Sequence, residues 1–203
     1  MQAGLFEPVA ALQAIALPDA DVQFMQGFYS PQQASRYFQQ LLDETAWQHE
    51  KLKLWGKWID QPRLTAWYGD ADRAYRYSGL RLQPLPWTPL LARIRQEVET
   101  CTGDTYNAVL LNLYRNEQDS VAWHSDDEPE LGPNPVIASL SLGASRTFKL
   151  RHKTLGMSHA IELHDGCLLR MAGATQRCWK HAVLKEKTSK GPRINLTFRR
   201  ILD

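Results

Sequence analysis

Three residues in this 203-residue chain have the types and spacing to hold a metal ion: His124, Asp126 two residues on, and His181 as the third donor. On an extended strand, side chains two apart leave the backbone on the same side, so the His124 imidazole and the Asp126 carboxylate converge. Two imidazoles and a carboxylate on one face of an octahedron suit non-haem Fe(II), with positions left for an organic co-substrate and O2. A His-x-Asp also occurs as a surface pair that meets only water. Cys178-x-x-His181 has the spacing of half a zinc site, but a second such pair is missing.

Two strands would present polar side chains to such a centre. From Arg193 to Arg199 the alternation puts Arg193, Asn195, Thr197 and Arg199 on one face and Ile194, Leu196 and Phe198 on the other. Along Ala108 to Arg115, Asn112 and Tyr114 lie opposite Val109, Leu111 and Leu113. Burying an arginine without an anion is costly, and burying two is worse. At a rise of about 3.3 Å per residue the two arginine Cα atoms stand roughly 20 Å apart, a gap that two inward-leaning side chains narrow to the length of a small dicarboxylate. The other reading is that both snorkel to solvent from an exposed sheet face.

The elements around them follow from caps and periodicity. Ser30-Pro31-Gln32-Gln33 supplies an N-cap serine and a proline at N1, and Ala34, Tyr37, Phe38, Leu41 and Leu42 recur at helical spacing. Thr88-Pro89 opens a second helix with Leu91, Ile94, Val98 and Cys101 on one face, ending near Gly103. Residues 24–29 read as a strand leading into the first helix. Further strands are expected at 136–142, 147–151, 160–163 and 167–171, with turns at Gly143-Ala144-Ser145 and His164-Asp165-Gly166. Many short strands with turn chemistry between them indicate a sandwich, barrel or jelly roll.

Composition sets outer limits. The charged fraction of 23% and hydrophobic fraction of 43% are ordinary for a globular protein. No apolar run reaches the roughly 18 residues of a membrane span. Residues 1–17 lack the basic and apolar regions of a secretory signal, and three cysteines, Cys101, Cys167 and Cys178, suggest free thiols in a reducing compartment. A cytoplasmic protein, nucleoid-associated when on DNA, is therefore expected. A net charge of +2 leaves any nucleic-acid contact to local patches.

Asn112-x-Tyr114, His124-x-Asp126, His181 and Arg193-x5-Arg199, in this order and with Asn195-Leu196-Thr197-Phe198 between the arginines, resemble the AlkB family of Fe(II)/2-oxoglutarate dioxygenases. The likeness is greatest to the branch that repairs alkylated bases in duplex DNA. It runs from about residue 51 to the C-terminus and takes in Pro62-Arg63, Tyr68-Gly69-Asp70, Asp126-Asp127-Glu128, Arg151-His152-Lys153 and Pro192-Arg193. The resemblance implies an α+β fold: a double-stranded β-helix, or jelly roll, buttressed by N-terminal helices and carrying a nucleotide-recognition lid. One catalytic domain would span 1–203, with an N-terminal extension at 1–20, the lid at about 48–80, and helix plus jelly roll over about 81–203.

The same resemblance implies iron held by His124, Asp126 and His181, and O2 and 2-oxoglutarate as co-substrates, with ascorbate as a reductant. Arg193, helped by Tyr114, would meet the far carboxylate of 2-oxoglutarate, and Arg199, with Asn112 and Asn195, the metal-side carboxylate. The implied reaction hydroxylates an N-methyl group of 1-methyladenine or 3-methylcytosine, which leaves as formaldehyde. The implied partner is alkylated DNA, duplex and also single-stranded, bound by a monomer with no membrane contact. Two alternatives are the same chemistry on RNA or another substrate, and a non-catalytic module that binds damaged DNA.

Five of the seven tryptophans lie between Trp47 and Trp87, with Tyr68, Tyr75 and Tyr77 among them, which marks this stretch as the substrate lid. Trp55-Gly56-Lys57-Trp58 reads as a hairpin tip, and Trp55 aligns with the finger of duplex-acting relatives, a wedge for the gap left by a flipped base. Packing of Trp55 on the domain is the bland alternative. Tyr75, Tyr77 and Trp123 are candidate walls for the base. Asp127 and Glu128 are candidate acceptors for its exocyclic amine or cationic edge, or else a plain loop pair. Arg63, Arg151, His152 and Lys153 are candidate phosphate contacts, with a supporting network as the other role for His152.

Overall fold

The protein is described by a computed structural model over residues 11–54, 57–71, 75–77 and 80–202. The first half of the chain gives β1 (Gln13–Ile15), β2 (Asp21–Met25), α1 (Pro31–Glu44), β3 (Lys51–Leu54), β4 (Lys57–Asp60), β5 (Leu64–Gly69), β6 (Tyr75–Tyr77), β7 (Leu80–Leu82) and α2 (Pro89–Thr102). The second half gives β8 (Ala108–Tyr114), β9 (Val121–His124), β10 (Ile137–Gly143), β11 (Arg146–His152), β12 (Ser158–Leu163) and β13 (Cys167–Ala172). A short turn of helix, α3 (Thr175–Cys178), then leads to β14 (Trp179–Val183) and β15 (Arg193–Arg199).

Both long helices start as their caps dictate. Ser30 Oγ accepts the Gln33 N–H and Thr88 Oγ1 the Leu91 N–H, each ahead of a proline in the first turn, contacts worth about 1 kcal/mol apiece. Gly103 ends α2 in the left-handed conformation at φ 74°, its N–H bonded to Glu99 O.

The strands form an antiparallel seven-stranded sheet in the order β1-β2-β13-β10-β15-β8-β5 and a four-stranded sheet in the order β12-β11-β14-β9. Alternation along the central strands divides the interior in two. Val109, Leu111 and Leu113 of β8, Leu140 and Leu142 of β10, and Ile194, Leu196 and Phe198 of β15 pack with Tyr37 and Leu41 of α1 and Leu91, Ile94 and Val98 of α2. The opposite face carries Leu110, Ile137 and Leu169, which pack with Phe148, Leu150 and Trp179 of the smaller sheet. Polar residues of that inner face sit near its middle. This two-sheet, helix-buttressed α+β arrangement is the expected jelly roll.

Gly143 shows how tight the layering is. At φ 86° it turns β10 toward β11, and a Cβ there would stand 2.6 Å from Pro192 O and 2.8 Å from the Phe38 ring. The expected strand over 24–29 is instead Asp21–Met25, because Gly27 at φ 79° breaks the extension and Tyr29 turns into the core. Within the expected N-terminal extension, β1 pairs with β2 at the edge of the larger sheet. The β3–β4 hairpin pairs Lys51 with Asp60 and Leu54 with Lys57, so Lys57 and Trp58, expected at the tip, belong to β4. Its two connecting residues, Trp55 and Gly56, lie outside the described residues.

Candidate active site

His124 ends β9 and lies directly across from His181 of β14, with ring centroids 4.3 Å apart. Asp126 falls two residues past the end of β9, and its Oδ2 is 3.8 Å from His181 Nε2. One donor atom from each of the three lies within 4.8 Å of the others. His124 Nδ1 is 2.7 Å from the Ala122 carbonyl oxygen. A carbonyl can only accept, so Nδ1 carries the proton and Nε2 keeps its lone pair for a ligand role.

Electrostatics hold the other two donors in their metal-binding forms. Burial, aided by His124 and Arg199 and opposed by Asp126, pushes the His181 pKa down to about 3, so its imidazole is neutral. Burial pushes the Asp126 carboxyl up, but Arg199 and the two imidazoles outweigh it and hold the group below the usual carboxylate range. Arg199 Nη2 donates to Asp126 Oδ1 at 2.8 Å. A neutral imidazole and an ionised carboxylate bind a divalent cation without first losing protons.

The same cleft, about 480 Å³ with the solvent at its mouth included, is lined by the triad together with Arg63, Asn112, Tyr114, Asn195, Arg193 and Arg199. Arg193 is 1% exposed. Its Nη2 donates to Ser141 Oγ at 2.9 Å and its guanidinium lies over the Tyr114 ring at 5.0 Å. Its Nε and Nη1 have no hydrogen-bond partner among the described residues. A buried cation with two such donors fits one end of a dicarboxylate, which would accept both hydrogen bonds and balance the charge. The chain therefore fits Fe(II) at the triad and 2-oxoglutarate toward Arg193.

Both arginines are buried, so neither snorkels to solvent. Arg199, expected from sequence near the metal-side carboxylate of the co-substrate, donates through Nη2 to the chain's own Asp126. Asn112 Oδ1 accepts from Arg63 Nε at 2.6 Å. Asn195 donates to Ser139 Oγ and Leu140 O while its Oδ1 accepts from Thr197. Arg63 is 4% exposed and also bonds the Ser120 carbonyl, so it stands in the cleft wall and not on a phosphate-facing surface. The Arg151 guanidinium stacks 4.5 Å over half-buried Trp123. Exposed Asp127 pairs with Lys153 at 3.3 Å, and half-buried Glu128 heads the 3-10 turn Pro129–Leu131. Tyr75 and Tyr77 are on β6, with side chains outside the described residues, as is Trp55.

Sequence reasoning missed Ser141, Gln176 and Arg146. Gln176 Oε1 accepts the Asp126 N–H at 3.0 Å. Arg146 is buried, its guanidinium bonded to Glu186 and to the carbonyls of Asn116, Asp119 and Leu184, and it lies 5.5 Å from the centre of the Tyr114 ring that Arg193 also contacts.

Cys178 does not join His181. It gathers with Asp19 and His152, whose donor atoms also lie within 4.8 Å of one another. There, however, His152 Nδ1 accepts the N–H groups of Thr154 and Leu155 at 3.2 and 3.0 Å. The ring proton therefore sits on Nε2, 3.3 Å from Asp19 Oδ2, and leaves no lone pair for a metal. This buried histidine, T-shaped on Trp179, is a packing element and not a phosphate contact.

Residues 21–199 match the family model described as the 2OG-Fe(II) oxygenase superfamily. The chain is 45% identical over 185 residues to human "Alpha-ketoglutarate-dependent dioxygenase alkB homolog 3", covering 86% of this chain and 64% of that protein. It is 43% identical over 160 residues to "DNA oxidative demethylase ALKBH2" of Mus musculus, covering 75% of this chain and 67% of that protein. The solved structure of OsALKBH1 superimposes with a TM-score of 0.61 at 17% identity, over 93% of this chain and 99% of its own, a likeness of fold.

Proposed function

Since this chain belongs to the 2OG-Fe(II) oxygenase superfamily and, within it, to the AlkB family, we propose that it is an oxidative demethylase that removes N-methyl groups from bases of alkylated DNA. The observation that carries the reading is the pairing, in one cleft, of a His-Asp-His triad with a buried arginine that offers two donors to an anion. When bound, iron with 2-oxoglutarate and O2 supplies the oxidant, and the hydroxylated N-methyl group leaves as formaldehyde to restore the base.

The residues do the positioning. His124, Asp126 and His181 hold the metal, and Arg199 fixes the orientation of Asp126. Arg193 and Ser141 anchor the far carboxylate of the co-substrate, and the Tyr114 ring supports the guanidinium. Leu110, Phe148, Met171 and Val183 give the cleft dry walls that strengthen these contacts. Base chemistry requires a flipped or single-stranded nucleotide. In this reading Tyr75, Tyr77 and Trp123 wall the base, Asp127 and Glu128 accept its edge, and Trp55 at the β3–β4 tip fills the gap in a duplex.

The test is formaldehyde and repaired-base formation from 3-methylcytosine oligonucleotides, single-stranded and duplex, with Fe(II) and 2-oxoglutarate. Repair by the native protein that disappears in Asp126→Ala supports the reaction. Succinate release without repair, still dependent on Asp126, would keep the oxygenase and reject the substrate. A Trp55→Ala variant should lose duplex activity far more than single-strand activity, and equal losses would remove the wedge.

A further inference from the structure

We infer that Gln176 is a positioning residue for the metal centre, fixing the Asp126 ligand through its backbone N–H; this rests on the metal-site reading above. The need for it comes from where the ligand sits. β9 ends at His124, so Ser125 and Asp126 lie beyond the strand and their backbone groups are not held by the β9–β14 ladder. Side-chain contacts replace that ladder. Ser125 Oγ donates to Trp179 O at 2.9 Å, and Asp126 N donates to Gln176 Oε1 at 3.0 Å.

Gln176 is built for one orientation. It is 1% exposed and lies in α3, the single turn between β13 and β14, so it is carried by the segment that also delivers His181. Its Nε2 points at Met171 Sδ at 3.7 Å, which leaves Oε1 facing the Asp126 N–H. The turn is tied down in its own right, since Lys153 Nζ donates to the Gln176 carbonyl at 3.0 Å and Thr175 Oγ1 to that of Ala172 at 2.6 Å. Lys153 also pairs with Asp127, so the same turn restrains two consecutive carboxylates. Without the Oε1 acceptor, the buried Asp126 N–H loses its partner and the peptide is free to rotate toward another one, turning the carboxylate away from the two imidazoles.

The test is Mn(II) affinity, read by electron paramagnetic resonance or calorimetry without turnover, alongside thermal unfolding of the metal-free protein. Gln176→Met keeps the side-chain length and removes the acceptor, while Gln176→Glu restores an acceptor oxygen. We expect Gln176→Met to weaken Mn(II) binding by about tenfold or more and Gln176→Glu to stay within about threefold of native, with both variants folded. If Gln176→Met does not fold, Gln176→Asn, whose shorter arm withdraws the oxygen, makes the same comparison. Native-like Mn(II) affinity in the acceptor-less variant, or equal weakening in Gln176→Glu, would overturn the inference alone. A native protein that binds no Mn(II) would overturn the metal-site reading and this inference with it.

Discussion

Replacing Arg193 with methionine separates a ligand-binding cation from a structural one. The guanidinium is 1% exposed, has one hydrogen bond to Ser141 and one ring contact to Tyr114, and has two nitrogens with no hydrogen-bond partner among the described residues. Exchanging a buried charge for an apolar side chain of similar length is often neutral or stabilising by about 1–4 kcal/mol, whereas the Ser141 hydrogen bond and the Tyr114 ring contact are worth about 1 kcal/mol each. The metal-free, ligand-free stability of Arg193→Met should thus stay within about 2 kcal/mol of native. Binding of 2-oxoglutarate loses two charge-assisted hydrogen bonds of about 1.5–3 kcal/mol each, a weakening of roughly a hundred- to ten-thousandfold. Urea unfolding reads both effects. With Mn(II) present and 2-oxoglutarate at a hundred times its Kd, the native protein should gain about 2.7 kcal/mol, and the variant almost none. A variant destabilised by more than about 3 kcal/mol that still gains the full ligand increment would refute the reasoning, since Arg193 would then be a structural residue.

Arg199→Met should behave in the opposite way: it strands the buried Asp126 carboxylate that Arg199 holds at 2.8 Å, and metal-free stability by urea unfolding should fall by about 3–5 kcal/mol. No change would mean the pair contributes nothing. His181 has its folded pKa depressed from 6.5 to about 3, so the unfolded chain binds a proton that the folded one does not. Its stability contribution is complete above the unfolded value and lost as pH falls from 6.5 toward 3, amounting to about 1.4 kcal/mol by pH 5.5. Metal-free His181→Asn should show a correspondingly shallower pH dependence, and an unchanged slope would sink the assignment. Burial pushes the Cys167 thiol up to about 11, opposed in part by Arg193, so iodoacetamide at pH 8 should leave it unmodified in the folded protein while half-exposed Cys178 reacts. Mass spectrometry of the peptides decides, and rapid labelling of Cys167 would contradict the burial.

The inner faces of β8 and β15 were legible because period-two alternation is strict there: Arg193, Asn195, Thr197 and Arg199 all point away from the helices that bury Ile194, Leu196 and Phe198. Alternation does not say what each side chain meets. Arg199 finds Asp126 from 73 positions away, a pairing set by how the two sheets stack and invisible in either strand alone. β14 escaped notice because it is short and carries a histidine where a strand pattern wants an apolar residue, and β9 stops at His124, short of the Asp126 expected on the same extended strand. Gln176 carries no local signal either, as a buried amide in a one-turn helix is indistinguishable in sequence from a solvated loop residue. Arg63 misled for the reverse reason. Its place just before β5, beside β8, turns a charged side chain inward to Asn112, and no periodicity records that.

The charges of the cleft make the two small ligands depend on each other. Asp126 and Arg199 pair at 2.8 Å, so a divalent cation at the triad enters a cleft that also holds the buried positive charge of Arg193. In a poorly solvated site that repulsion is weakly screened, whereas a dicarboxylate bound toward Arg193 cancels it. The metal should therefore bind more tightly when 2-oxoglutarate is present, and by linkage 2-oxoglutarate should bind more tightly by the same factor when the metal is present. A coupling of about 1–3 kcal/mol corresponds to roughly 5- to 150-fold. Mn(II) titrations with and without 2-oxoglutarate, and the reverse titrations, measure the factor twice. Arg193→Met should shrink the gain in Mn(II) affinity seen at fixed 2-oxoglutarate, because the anion no longer dwells there. Independent affinities in the native protein would show that solvent at the cleft mouth screens the charges, and that Arg193 is set too far from the metal to sense it.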